Sequence, residues 1–195
     1  MGAESVYKKR IGLSEITIEN FKAIKERTTL PIRPITMLYG ANSAGKSTII
    51  HALAYLREIV CNNNPDADQT EIGGESIRLG GFRNMVHDYD LDKTIWIGIN
   101  FSLEDDGLSP FLSQENAEGV EENPLDEEAE NFLSEVVNCG IRISVAYSKT
   151  ENRPLLESFE ILINGEIITE GSRDGTNDLP ELTRLNHLHP LLEMV

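Results

Sequence analysis

Eight consecutive residues, Gly40-Ala41-Asn42-Ser43-Ala44-Gly45-Lys46-Ser47, constrain what this chain can fold into more than any other stretch. They match G-x-x-x-x-G-K-[ST], the P-loop pattern, which works only between a strand and a helix. Both flanks suit it. Ile35-Thr36-Met37-Leu38-Tyr39 is apolar and partly β-branched, and its length predicts a buried strand. Beyond the loop, Ile49, Ile50, Leu53, Leu56 and Val60 recur at helical spacing, with His51, Tyr55, Arg57 and Glu58 interleaved. The residue types have a chemical logic. Gly40 and Gly45 allow a tight turn whose backbone N–H groups face inward, and the helix beginning near Lys46 adds its positive end. Lys46 supplies a point charge for phosphate oxygens, Ser47 is a hydroxyl ligand for Mg²⁺, and Thr48 follows at the helix start.

The chain has 195 residues, with 33 acidic against 17 basic side chains and a net charge of −16. A nucleic-acid-binding face needs clustered Lys and Arg, so this acidic segment is not expected to be a main DNA-contacting surface. The two cysteines, Cys61 and Cys139, are far apart and outside any C-x-x-C pattern, so neither a disulfide framework nor a zinc site is expected. No apolar run approaches the ~18 residues of a membrane span, and no signal-peptide core is present. The expectation is a cytoplasmic protein with no membrane partner.

Taken in order, residues 1–12 are a polar lead with the basic cluster Lys8-Lys9-Arg10. In residues 13–21, Ser14, Ile16 and Ile18 alternate with Glu15, Thr17 and Glu19, which predicts a strand with one wet face. Thr28-Thr29-Leu30 predicts a second short strand, making a hairpin-like pair over 13–32, and Pro31 and Pro34 then break the pattern. Residues 61–68 read as a polar loop that continues through 69–76. Residues 77–79 read as a short strand and 82–87 as a short helix. Ile95, Ile97, Ile99 and Phe101 alternate as a strand. From Glu104 to Glu135 lie twelve acidic residues and no basic one, which reads as an acidic surface insertion with a short helix near 126–137. Residues 141–148 and 156–163 are strands. Asn164-Gly165 is a two-residue hairpin signal with a return over 166–169, and 171–183 reads as loop.

The I-x-N-F-K strand over Ile18–Lys22, the L-x-I-R-P-I-T stretch over 30–36 and the Y-G-A-N-S-A-G-K-S-T loop over 39–48 together resemble one superfamily. It comprises the ABC-type ATPase heads of SMC proteins, of RecF and of the OLD family, with similar heads in bacterial anti-phage systems. Residues 15–60 carry most of the resemblance. The resemblance implies an α/β fold, a P-loop NTPase of the ABC/SMC type with an antiparallel β-lobe. The chain would form the N-terminal half, one portion of an ATPase domain spanning 1–195. It implies ATP and Mg²⁺ as ligands, with Gly40, Asn42, Ser43, Ala44, Gly45, Lys46, Ser47 and Thr48 around the nucleotide and Ser47 on the metal. Lys22 occupies a position that in this family sits near the nucleotide. His87, in His87-Asp88-Tyr89-Asp90, stands where a γ-phosphate-sensing loop or a metal cluster would fall. Arg33, His187 and His189 read as ordinary surface residues.

No segment is an apolar run of four or more residues ending in Asp-Glu, and no L-S-G-G-type signature occurs. The nearest, Ile161-Leu162-Ile163-Asn164-Gly165-Glu166, is a hairpin. No catalytic residue is therefore identified. The expectation is the ATP-binding half of an SMC/OLD-like ATPase, coupling nucleotide through association of like heads to a DNA-directed or defence effector such as a nuclease. The rival expectations are a transporter's nucleotide-binding subunit and a module in which nucleotide holds an assembly together without turnover.

Overall fold

The computed structural model describes residues 11–41, 45–103, 107–108, 127–175, 177 and 179–186. Along the chain the elements are β1 (Gly12–Glu19), β2 (Thr28–Pro31), α1 (Lys46–Asn62), β3 (Gln69–Ile72), β4 (Glu75–Arg78), α2 (Phe82–Met85), a 3₁₀ turn (His87–Tyr89), β5 (Ile95–Ser102), α3 (Glu127–Ser134), β6 (Asn138–Ser148), β7 (Arg153–Ile163), β8 (Glu166–Ser172) and β9 (Glu181–Leu185). Seven strands form one sheet in the order β2-β1-β5-β6-β7-β8-β9. Every neighbouring pair is antiparallel. This is the mixed α/β architecture with an antiparallel lobe that the sequence predicts.

Alternation decides which side of the sheet is covered. Ile16 and Ile18 of β1, Ile95 and Ile97 of β5, and Ile143 and Val145 of β6 share one face and are buried. Against them lie Ala52, Tyr55, Leu56 and Ile59 of α1, together with Phe21, Leu79, Phe82, Met85 and Val86. The opposite face carries Glu15, Thr17, Trp96, Arg142 and Glu160 and stays open to solvent. A smaller cluster of Val136, Ile163 and Ile168 closes the far end under Phe132 of α3. Two tight turns share one solution: Gly73 and Gly74 (φ 61° and 84°) join β3 to β4, and Asn164 and Gly165 (φ 50° and 85°) join β7 to β8. Left-handed backbone at two successive residues matches the right-handed twist of the strands it connects.

Four sequence expectations need correction. Residues 35–39 are not a buried strand. They carry no regular structure, and Ile35, Met37 and Tyr39 are 82%, 67% and 81% exposed. An apolar run becomes a strand only where another strand takes its backbone groups, and none among the described residues does so. The buried stripe of α1 is also displaced from the one read by residue size. Ile50 and Val60 are 51% and 57% exposed, while Ala52, Tyr55, Leu56 and Ile59 face the sheet. Alanine permits close approach there, and the Tyr55 hydroxyl is satisfied by donating to the Pro65 carbonyl, so a tyrosine serves as core. Residues 69–76 are mostly the β3–β4 hairpin rather than loop, and the span 171–183 contains the end of β8 and the start of β9. The cluster Lys8-Lys9-Arg10, His187, His189 and most of the acidic stretch lie outside the described residues, although α3 falls within the helix expected near 126–137.

The β3–β4 hairpin is held to α1 by one buried carboxylate. Thr70 Oγ1 donates to Glu58 Oε2 at 2.7 Å. Hydrogen bonds from Thr70, then Asn62 and Asn64, hold the Glu58 carboxyl below the ordinary glutamate value against the opposing push of burial. A lowered folded-state value stabilises the fold fully above the unfolded carboxyl range, about pH 4.3, and that stability is lost as pH falls through the lower folded value. Glu58→Gln is expected to flatten this part of the acid limb. Urea midpoints measured from pH 6 down to 3 should fall less steeply in the variant than in the wild type.

Candidate phosphate-binding site

The sequence turns from loop to helix at Gly45, which sits at φ 86° and ψ 10° as the residue before α1. This left-handed geometry costs any residue with a Cβ about 1–2 kcal/mol, and glycine nothing. The Thr48 N–H donates to the Gly45 carbonyl at 3.0 Å, closing the first turn. No side chain caps α1, and its first turn contains no acidic residue. A helix N-terminus leaves unsatisfied N–H groups and a positive dipole end, and here no side chain of the described residues caps the former and no first-turn acid meets the latter.

Lys46 opens α1 and folds back over the loop. Its Nζ donates to the carbonyls of Gly40 at 2.8 Å and Ala41 at 2.6 Å. The ammonium therefore spans the loop from its C-terminal side to its N-terminal glycine. Ser47 is exposed beside it and Thr48 is buried. Asn42, Ser43 and Ala44 lie outside the described residues.

The turn after β1 packs against this loop. Asn20 and Lys22 are both left-handed, at φ 54° and 50°. Such backbone is uncommon for residues with side chains and persists where surrounding bonds over-determine it. Here they do. Asn20 N–H donates to Lys25 O at 3.1 Å, Phe21 and Ile24 exchange backbone bonds at 2.9 Å, and Lys22 N–H donates to Met85 O at 2.6 Å. Phe21 is fully buried and stacks on Tyr55 of α1 with centroids 5.9 Å apart. A Cβ placed on Gly45 would lie 3.4 Å from the Ala23 Cβ, so the turn and the loop are in contact.

Lys22 is tied to α1 through its side chain, whereas His87 is tied to the turn. Lys22 Nζ lies 2.7 Å from His51 Nδ1 on α1 and 3.5 Å from the Leu79 carbonyl. Burial pushes the Lys22 ammonium below its usual value, and burial followed by the neighbouring Lys22 charge does the same to His51. His87 Nδ1 bonds the Lys22 carbonyl at 2.7 Å, and its Nε2 lies 3.2 Å from Asp88 Oδ2. Both ring nitrogens are thus engaged within the turn. Among the described residues, those of His87-Asp88-Tyr89-Asp90 included, no group of three His, Cys, Asp or Glu side chains is placed to hold a metal ion. Arg33 is exposed, and its guanidinium donates to the carbonyl of its neighbour Ile32 at 3.1 Å. His51 is the residue that sequence reading passed over. Its place five residues after Lys46, on the helix that the loop feeds, was the available signal.

A hollow of about 250 Å³ lies elsewhere, on the open sheet face around Trp96 and Gly98. Its cations are already matched: Arg27 to Glu19 at 2.8 Å and Arg142 to Glu160 at 3.2 Å. Paired charges with solvent access give that hollow no unanswered chemistry, in contrast to the α1 terminus.

A family model described as the AAA ATPase domain matches residues 12–180. Among solved structures, the chain is similar to one titled as the recombination mediator protein RecF-ATP in the RecFOR pathway, at 15% identity and a TM-score of 0.41. The match covers 85% of this chain and 30% of that one. No curated protein matches the chain.

Gly45→Ala is expected to cost about 1–2 kcal/mol of stability, the strain of a left-handed Cβ, and Gly45→Asn less. Denaturant unfolding of the two variants beside wild type checks the order. Equal stabilities would show that the loop relaxes away from this conformation.

Proposed function

The chain belongs to the AAA ATPase domain family, and on that premise we propose that residues 40–48 hold the phosphates of ATP. The uncapped, acid-free N-terminus of α1, entered through a left-handed glycine, carries this reading. A phosphate group would satisfy the free N–H donors and meet the positive helix end. Lys46 would exchange the carbonyls of Gly40 and Ala41 for phosphate oxygens, so the loop holds its cation in place before the nucleotide arrives. Ser47, exposed on the first turn, suits Mg²⁺ as one hydroxyl ligand. Such an ion keeps several waters and shares the nucleotide's phosphate oxygens, and it stabilises charge on them when bound.

The chain supplies only part of an ATPase centre in this reading. Hydrolysis needs a carboxylate to orient water, and no apolar run of four or more residues in this sequence ends in Asp-Glu. The exposed run Ile35–Tyr39 has a physical explanation in the same terms. It is β-prone and apolar, and its backbone groups find no backbone partner among the described residues. We read it as the strand that delivers the loop, to be flanked by strands from beyond this segment, in the manner of an ABC/SMC-type head of which residues 1–195 form the N-terminal portion. Two such heads closing on ATP would complete the site, with a DNA-directed or defence effector as the output. The missing carboxylate also favours a second reading, in which ATP holds an assembly without turnover.

Lys46→Ala is expected to weaken binding of a fluorescent ATP analogue to the full chain by about tenfold or more, the loss of a charge-assisted phosphate contact. Unchanged affinity in a folded variant would remove the assignment of the loop. ATP turnover by wild type, abolished in the same variant, would exclude the non-hydrolysing assembly.

A further inference from the structure

We propose that His51 is a positioning residue for Lys22, holding its ammonium beside the phosphate loop as a second cation after Lys46. The proposal rests on the reading of residues 40–48 as the nucleotide loop.

Four observations carry it. First, Lys22 is half-buried in a chain with twice as many acids as bases, yet none of the ion pairs among the described residues gives it a carboxylate. Lys25, Lys93 and Lys149 all have one. The contacts of Lys22 are an imidazole nitrogen at 2.7 Å, a carbonyl at 3.5 Å and the Phe21 ring, whose centroid is 6.0 Å from Nζ. All are uncharged, provided that the imidazole is neutral.

Second, the hydrogen bond fixes the imidazole's tautomer. An ammonium has only donors, so Nδ1 of His51 accepts and the ring proton sits on Nε2. A neutral acceptor holds the ammonium without cancelling its charge. A group whose purpose was packing alone would more simply be met by a carboxylate, which the chain has in abundance.

Third, the backbone beneath Lys22 is strained and locked. Its left-handed φ of 50° is retained by hydrogen bonds to Met85 and from the His87 side. Strain of this kind is kept where a side chain must emerge at one place. Fourth, the turn that carries Lys22 adjoins the loop, because the next residue, Ala23, lies 3.4 Å from the position a Gly45 Cβ would take. His51 in turn rides on α1, so one rigid element carries Lys46 at its start and the acceptor for Lys22 five residues later. The lowered basicity of both groups agrees with close, half-buried contact.

The experiment measures binding of a fluorescent ATP analogue with Mg²⁺ by the full chain carrying Lys22→Met, His51→Leu, His51→Gln and the double variant Lys22→Met/His51→Leu, with thermal unfolding of each. Lys22→Met and His51→Leu are expected each to weaken binding about three- to tenfold, the scale of one charge-assisted contact. The double variant should be no weaker than the worse single one, because both remove the same contact. His51→Gln offers a neutral acceptor and should restore most of the affinity. Affinity within twofold of wild type in a folded Lys22→Met or His51→Leu variant would overturn the proposal. So would additive losses in the double variant, or His51→Gln behaving like His51→Leu. A lowered melting temperature with unchanged affinity assigns the pair a structural role and equally overturns it. Lys46→Ala separates the two levels: if that variant binds as wild type does, it is the loop reading that fails.

Discussion

The packing of Phe21 on Tyr55 is the contact on which the rest of the candidate site depends. Phe21 lies two residues beyond the end of β1, and Tyr55 sits in the middle of the helix that follows the loop. Both rings are fully buried. Between them in sequence lie the second strand, the exposed apolar run and the glycine loop. Fixing the two ends fixes where the loop must close. Removing a buried ring of this size costs about 3–5 kcal/mol, a large share of a domain's whole stability. The left-handed turn at Asn20–Lys22, the contact of Ala23 with the loop and the tie between Lys22 and His51 all inherit their positions from that stack.

Charge tells a complementary story. The chain carries a net −16, yet the start of the helix has no acidic residue, and the two lysines nearest the loop are met by carbonyls and an imidazole. Negative charge elsewhere on the chain makes this corner a local exception. Fields of this kind concentrate anions where low-dielectric walls and unpaired donors coincide. The hollow around Trp96 and Gly98 makes the contrast plain, because its arginines are already matched by glutamates.

The strands of the sheet other than β9 were legible because alternation is a direct consequence of having one wet face. Ile16 and Ile18, Ile95 and Ile97, and Ile143 and Val145 point inward as their spacing requires. The loop and the start of its helix were legible from the glycine and lysine spacing. Three features were not. The inward face of the helix is defined by Ala52, Tyr55 and Ile59, and neither alanine nor a tyrosine with a bonded hydroxyl advertises burial. The hairpin at Gly73-Gly74 was hidden by its polar strands, in which, among the described side chains, Ile77 alone packs on the main core and the buried Thr70 is held by the Glu58 carboxylate. The run Ile35–Tyr39 has a strand's composition, but a strand is a relation between two segments, and composition speaks for only one of them. The partnership of His51 and Lys22 was equally beyond reach, because the two residues lie 29 positions apart and meet through a turn whose backbone is unusual for its residue types.

That exposed run has a bearing on the order in which such a protein is built. The sheet, the helix and the turn between them form a cooperative unit from contacts within this segment, whereas Ile35, Met37 and Tyr39 gain nothing from it. Regions with few buried contacts and unpaired backbone are the last to gain protection and the first to open. The loop is therefore attached on one side to a helix packed on the sheet and on the other to an exposed run with no backbone partner among the described residues. The apolar backbone of Ile35–Tyr39, unpaired among the described residues, is left available to any other strand, which makes this run an aggregation risk that the sheet does not share.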